Sequence, residues 1–261
     1  MRAREAIVPG ALLPLALFLL ARFYPVGVDW EHAFDRVGLV DPYRVESFVV
    51  LPWTVLFLPH ALLPLRWGNA VNFLLNVLSI LFAIKRAGGS RAATLLAFTS
   101  PVFFDLARTN NIEWLPLLGL LVSPWIGSIL LLCKPQCLAG ALLIWAKRDW
   151  RVLLFPLAVG LASFLVWGWW PGRMGPLPFG KPHNFSAFPA GLPYGAYLLH
   201  KAWREDDAYL AAVATPLFVP YIAPYSLVGV LAVLASRRPK AGAWLYFGMW
   251  AYVVIESRRT F

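Results

Sequence analysis

Apolar runs close to bilayer-spanning length, set apart by short basic clusters, restrict this chain more than any other feature. About 20 residues at 1.5 Å each cross a hydrocarbon core, and runs of that order recur from IVPGALLPLALFLLARFYP at 7–25 onward. The clusters between them are RAR at 2–4, KRAGGSR at 85–91, KRDWR at 147–151, HKAWR at 200–204 and SRRPK at 236–240. Lys and Arg gather on the cytoplasmic side of membrane proteins. The pattern therefore predicts an integral protein of a bacterial-type plasma membrane with a cytoplasmic N-terminus. No A-x-A cleavage site follows the first run, so 7–25 reads as a retained anchor. Only 14% of residues are charged, against about 25% in soluble domains. The net charge of +10 is assigned to topology and membrane lipids, and nucleic acid is rejected as a partner.

Alternating the basic clusters with the apolar runs gives an all-α polytopic bundle of about eight to ten transmembrane or half-spanning helices, one integral domain over 1–261. An external loop at 26–47 holds Asp29, Glu31, Asp35, Asp41 and Glu46, five of the thirteen acidic residues. The next run, 48–65, carries Pro52, Pro59 and Pro64, and proline costs about 3 kcal/mol inside a helix. It reads as a bent juxtamembrane or re-entrant segment, leaving 69–84 to cross. From 112 to 146 three short helices, or one span with a re-entrant pair, satisfy the parity, with LCKPQCL at a break between them. A second external loop, rich in Pro and Gly, covers 170–190.

This topology brings the acidic loop, Arg108-Thr109-Asn110-Asn111, Lys134-Pro135-Gln136 and Lys181-Pro182-His183-Asn184 to the external side. A polar cavity with carboxylates and cations suits a lipid-linked phosphate: a cation pairs with phosphate more strongly at low dielectric, and a carboxylate beside a hydroxyl acts as general base. Cys133 and Cys137 provide two ligands, too few for zinc. The sequence has no Asp-x-Asp, and no metal is assigned; Asp29 with Glu31 offers only weak support for a divalent cation held through oxygen ligands.

The stretch from Asp29-Trp30 through Asp41-Pro42-Tyr43, Leu51-Pro52 and Pro59 to Pro64 resembles the opening region of polyprenol-phosphate-mannose-dependent glycosyltransferases, a branch of the GT-C superfamily. NNIEWLPLLGLL is similar to that family's G-Q-x-N helix start, LLLCKPQCLAGALLIWAKRDWR to its K-P helix pair, and TPLFVPYIAPYSLVGVL to its late P-y helix. The order of these motifs from about Val28 to Val233 carries the resemblance. Asn110-Asn111 stands where the family has Gly-Gln, and Gln136-Cys137 replaces its second proline. The family's members are considerably longer, so the resemblance is to a short or degenerate member.

The resemblance implies a GT-C-like fold and a polyprenyl-phosphate sugar donor, mannose-like, with transfer to a lipid or glycan acceptor on the outer face. Asp29 takes the role of catalytic base and Lys134 holds the donor phosphate. Gln136, Asn111, Arg108 and His183 complete the donor side; Arg108 has the alternative of pairing with Asp105 or Glu113. Glu31, His32, Asp41 and Tyr43 fall on the acceptor side. A second reading is a non-catalytic membrane subunit that binds membrane-protein partners. A lipid or anion transporter needs an internal repeat with matching broken helices, and the sequence shows none.

Overall fold

Proline placement decides how these apolar runs fold. The computed structural model describes residues 2–45, 47–175 and 184–259, and among them it has helices and turns but no strand. In chain order the α-helices are α1 (Arg2–Phe23), α2 (Leu65–Arg86), α3 (Arg91–Phe98), α4 (Pro101–Thr109), α5 (Trp114–Leu121), α6 (Pro124–Cys133), α7 (Pro135–Leu138), α8 (Ala141–Arg148), α9 (Leu154–Trp167), α10 (Leu192–Glu205), α11 (Ala208–Ala214), α12 (Val228–Arg237) and α13 (Pro239–Arg259). Glu46 and the Lys181-Pro182-His183 stretch lie outside the described residues.

Among the described residues two segments, Leu65–Arg86 and Trp150–Trp167, are long and apolar enough to cross a membrane; the shorter apolar helices include Pro124–Cys133 and Pro224–Arg237. The sequence leads one to expect about eight to ten spanning or half-spanning helices; among the described residues two segments reach spanning length and the other apolar helices are shorter. Proline is the physical reason. Pro101, Pro124 and Pro135 each start a new helix, where the missing N–H is no loss. At the first of these Ser100 caps the new helix by accepting from the Phe103 N–H at 3.2 Å. The run at 92–104 is thereby split into α3 and α4, and 112–146 into α5 through α8. The proline-rich 48–65 forms two 3₁₀ turns, Pro52–Phe57 and Pro59–Leu62.

Two apolar cores stack along α2. One gathers Ile80, Leu106, Leu117, Leu131, Leu138 and Leu231. The other lies under the acidic loop and holds Trp30, Phe34, Phe48, Trp53, Ile112 and Leu115. Part of the 26–47 segment is therefore anchored in this core: Trp30 and Phe34 are 0% and 3% exposed. Each such aromatic contributes on the order of 3 kcal/mol by leaving water.

Candidate functional site

Three asparagines on one face of α2 build the floor of the site. Asn69, Asn72 and Asn76 are spaced by three and four residues, so they lie on one stripe, and all three are buried. A buried amide must find partners, and theirs is the turn between α4 and α5. Asn110 ends α4 in the left-handed conformation, φ 50° and ψ 47°, which asparagine tolerates better than most residues. Its Nδ2 donates to the Asn69 carbonyl and to Asn69 Oδ1, both at 2.7 Å. Asn72 Nδ2 donates to the Asn110 carbonyl at 2.7 Å, and Asn76 Nδ2 to the Asn111 carbonyl at 2.6 Å. Asn76 Oδ1 accepts from the Trp114 N–H at 2.9 Å. Both termini of the turn are thus fixed from α2.

Asn111 then points into the site with no freedom left in its amide. Nδ2 donates to Asp29 Oδ2 at 2.7 Å and to the Tyr225 hydroxyl at 3.1 Å. Oδ1 accepts from Lys134 Nζ at 2.9 Å and from the Ile112 N–H at 2.7 Å. Asp29 reaches it because Gly27 lets the loop backbone press on the turn. A Cβ at Gly27 meets Asn110 Cβ at 2.3 Å and the Thr109 carbonyl oxygen at 2.6 Å, which no other residue survives unshifted.

The KPQ break delivers Lys134. Pro135 forces the preceding residue out of the helical region, and Lys134 sits at φ −139°, ψ 76°, between α6 and α7. Its side chain is driven inward, leaving the residue 3% exposed. There Nζ ion-pairs with Glu113 Oε1, which also accepts from Ser226 Oγ at 2.9 Å. A weaker contact joins Nζ to Ser226 Oγ at 3.5 Å, and the Tyr225 ring lies 5.0 Å away. Glu113 is 2% exposed, and its second oxygen accepts from the Cys137 thiol at 3.4 Å. Asp29, Asn111, Lys134 and Glu113 form one hydrogen-bonded chain.

Above this floor opens a cavity of about 880 Å³, lined by Asp29, His32, Asn111, Lys134 and Gln136 together with Tyr221 and Tyr225, and walled by apolar residues such as Val50, Leu51 and Val219. Five residues named from sequence therefore meet there. His32 keeps its ring nitrogen on the Val28 carbonyl at 2.8 Å. The other assignments fall elsewhere. Arg108 is exposed and pairs with Asp105 at 2.8 Å. Asp41 pairs with Arg173, whose guanidinium lies 5.9 Å from the Tyr43 ring, and the Tyr43 hydroxyl donates to the Val50 carbonyl at 3.0 Å. Burial raises the Tyr43 phenol above its ordinary pKa. Glu31 is exposed and is not among the cavity's lining residues. Among the described residues no three His, Cys, Asp or Glu side chains converge as a metal site. His183 lies outside the described residues.

Compared with protein-family models, curated proteins and solved structures, the chain matches none. Sequence reasoning assigned no role in the site to Glu113, Tyr225, Ser226 or the asparagine stripe. Two signals for them exist. Glu113 is the lone acidic residue between Asp105 and Asp149, and Asn69, Asn72 and Asn76 keep helical spacing within an apolar run. Ser226 carries no such mark.

Proposed function

We propose that this chain is a polytopic membrane glycosyltransferase that moves a sugar from a polyprenyl-phosphate donor to a hydroxyl acceptor on the outer face. The supporting observation is that Asp29 and Lys134 border one cavity and are bridged by a single side chain, Asn111. The mostly apolar wall suits a prenyl chain. Outward-facing Leu154, Leu157, Leu161 and Leu165 on α9, the last 90% exposed, suit contact with acyl chains.

In this reading the acceptor hydroxyl gives its proton to Asp29. Its oxygen bonds to the anomeric carbon while the bond from that carbon to the phosphate oxygen breaks, and the electron pair leaves with the polyprenyl phosphate. Lys134 exchanges its longest contact, to Ser226 Oγ at 3.5 Å, for an oxygen of the leaving phosphate, and Gln136 binds sugar hydroxyls. A buried cation in reach of the developing charge is worth far more than one in water.

Proteoliposomes given a radiolabelled polyprenyl-phosphate mannose donor test this reading. Label is expected to transfer with release of polyprenyl phosphate, and Asp29→Asn is expected to abolish transfer while the variant elutes as the native protein does. Full activity in Asp29→Asn removes Asp29 as base, and no turnover of any such donor removes the reading.

One observation favours the second reading, a non-catalytic subunit. Glu113 already neutralises Lys134, and every N–H of the ammonium has a partner. Co-purification with a stoichiometric membrane partner, without donor turnover, decides for it.

A further inference from the structure

We infer that a second cavity, at the C-terminal end of α2, is a binding site for a phosphate-bearing anion. It encloses about 830 Å³ and is lined by Arg86, Arg148, Arg237, Arg238 and Tyr209 together with Glu205, Asp206 and Asp207. Arg86 stands fourteen residues after Asn72 on the same helix, about 21 Å along the axis, so the cavity is separate from the site above and independent of glycosyl transfer.

The hydrogen-bonding capacity left over in this cavity is what selects the ligand. The carboxylates are engaged. Asp207 Oδ1 caps α11 by accepting from the Tyr209 and Leu210 N–H groups at 3.0 and 3.1 Å, and Oδ2 accepts from Arg237 at 2.9 Å. Asp206 Oδ2 accepts from Arg148 Nε at 2.8 Å, with Lys147 Nζ 3.6 Å from its other oxygen. Glu205 Oε2 accepts from Arg238 at 3.0 Å, with Lys201 3.8 Å from Oε1.

The guanidinium groups are far from saturated. Each carries five N–H donors; Arg237 and Arg238 each direct one to a carboxylate. Arg86 makes no hydrogen bond or ion pair among the described residues, yet its charge acts on the Tyr209 hydroxyl together with that of Arg237. Four arginines against three carboxylates leave a positive balance, and the unmatched groups are nearly all donors. A tetrahedral oxyanion with several acceptor oxygens is the complementary ligand. The cavity also has room for the glyceryl or similar group attached to it.

Two sources share this chemistry, an anionic lipid headgroup and a soluble phosphate. The full chain is purified in detergent. Native mass spectrometry then counts retained phosphatidylglycerol against phosphatidylcholine of matched acyl chains, and calorimetry measures binding of inorganic phosphate. Arg86→Ala breaks no hydrogen bond or ion pair among the described residues, so it is expected to leave folding intact while weakening binding about tenfold, the loss of one charge-assisted hydrogen bond. Arg66→Ala, exposed and near the opposite end of α2, is expected to change nothing. Preferential retention of phosphatidylglycerol that Arg86→Ala removes supports a lipid headgroup; phosphate binding that it removes supports a soluble anion. Equal retention of both lipids with no phosphate binding overturns the inference. So does binding that Arg86→Ala leaves intact, or that Arg66→Ala weakens as much.

Discussion

The two ends of α2 hold ion pairs of the same chemistry in opposite settings. At the Asn69 end, Lys134 and Glu113 have side chains 4% and 2% exposed, and nearly every nearby donor has one acceptor. At the Arg86 end, Arg238 and Glu205 are 50% and 42% exposed, with donors to spare. Desolvation separates the two. Two buried charges give up hydration worth several kcal/mol each, and only close geometry with extra hydrogen bonds offsets that. Exposed pairs lose little hydration and gain little, about 0–1 kcal/mol. The first end is a fixed arrangement; the second is free to rearrange around a ligand.

The sharpest way to break this contrast is to remove one buried partner. Lys134→Met leaves Glu113 charged and unpaired, and stability is expected to fall by about 3–5 kcal/mol, read as a large drop in detergent Tm. Adding Glu113→Leu to Lys134→Met is expected to restore most of it, because no charge is then stranded. If the single variant unfolds no more readily than the native chain, the pair is not buried as described.

Next in size is the asparagine stripe. Asn76→Ala orphans the Trp114 N–H, a buried group worth about 1–3 kcal/mol, and leaves the Asn111 carbonyl with only the longer bond from Asn72 Nδ2 at 3.2 Å. Asn76→Asp keeps the acceptor for Trp114 but sets a buried carboxylate oxygen against the Asn111 carbonyl, so its Tm is expected to fall at least as far as that of Asn76→Ala. Equal Tm values for all three show that the turn is held from elsewhere.

How much of this was legible in the sequence differs along the chain. Helical character and the prolines that cut it are local properties, so the break at Lys134-Pro135 and the interruption of 48–65 follow from residue type, while the 3₁₀ form of Pro52–Phe57 and Pro59–Leu62 does not. The same prolines shortened the helices more than a count of apolar runs anticipates, since a run such as 92–104 looks continuous in hydropathy while Pro101 divides it. Asp29 and Lys134 share a cavity, as charge topology suggests. What Lys134 touches is not local: Glu113 lies twenty-one residues away and Ser226 ninety-two. Arg108, by contrast, takes the nearest carboxylate three residues back, because an exposed cation gains nothing from a distant one.

The smallest expected effect is at the Arg86 end, where stability and binding are predicted to part company. Glu205→Gln removes a carboxylate that is 42% exposed and bonded to Arg238, so the loss of stability is within about 1 kcal/mol. The same change frees an Arg238 donor and raises the cavity's positive balance, so phosphate is expected to bind more tightly, most visibly at low salt, where screening is weakest. Acid reaches the neighbouring pair in the same sense. The Arg148 hydrogen bond holds the Asp206 carboxyl below its usual range. Its contribution is therefore intact at neutral pH and fades only as pH falls through that lowered value. If Glu205→Gln instead lowers Tm as far as Lys134→Met does, the exposed end is as rigid as the buried one and the contrast between them fails.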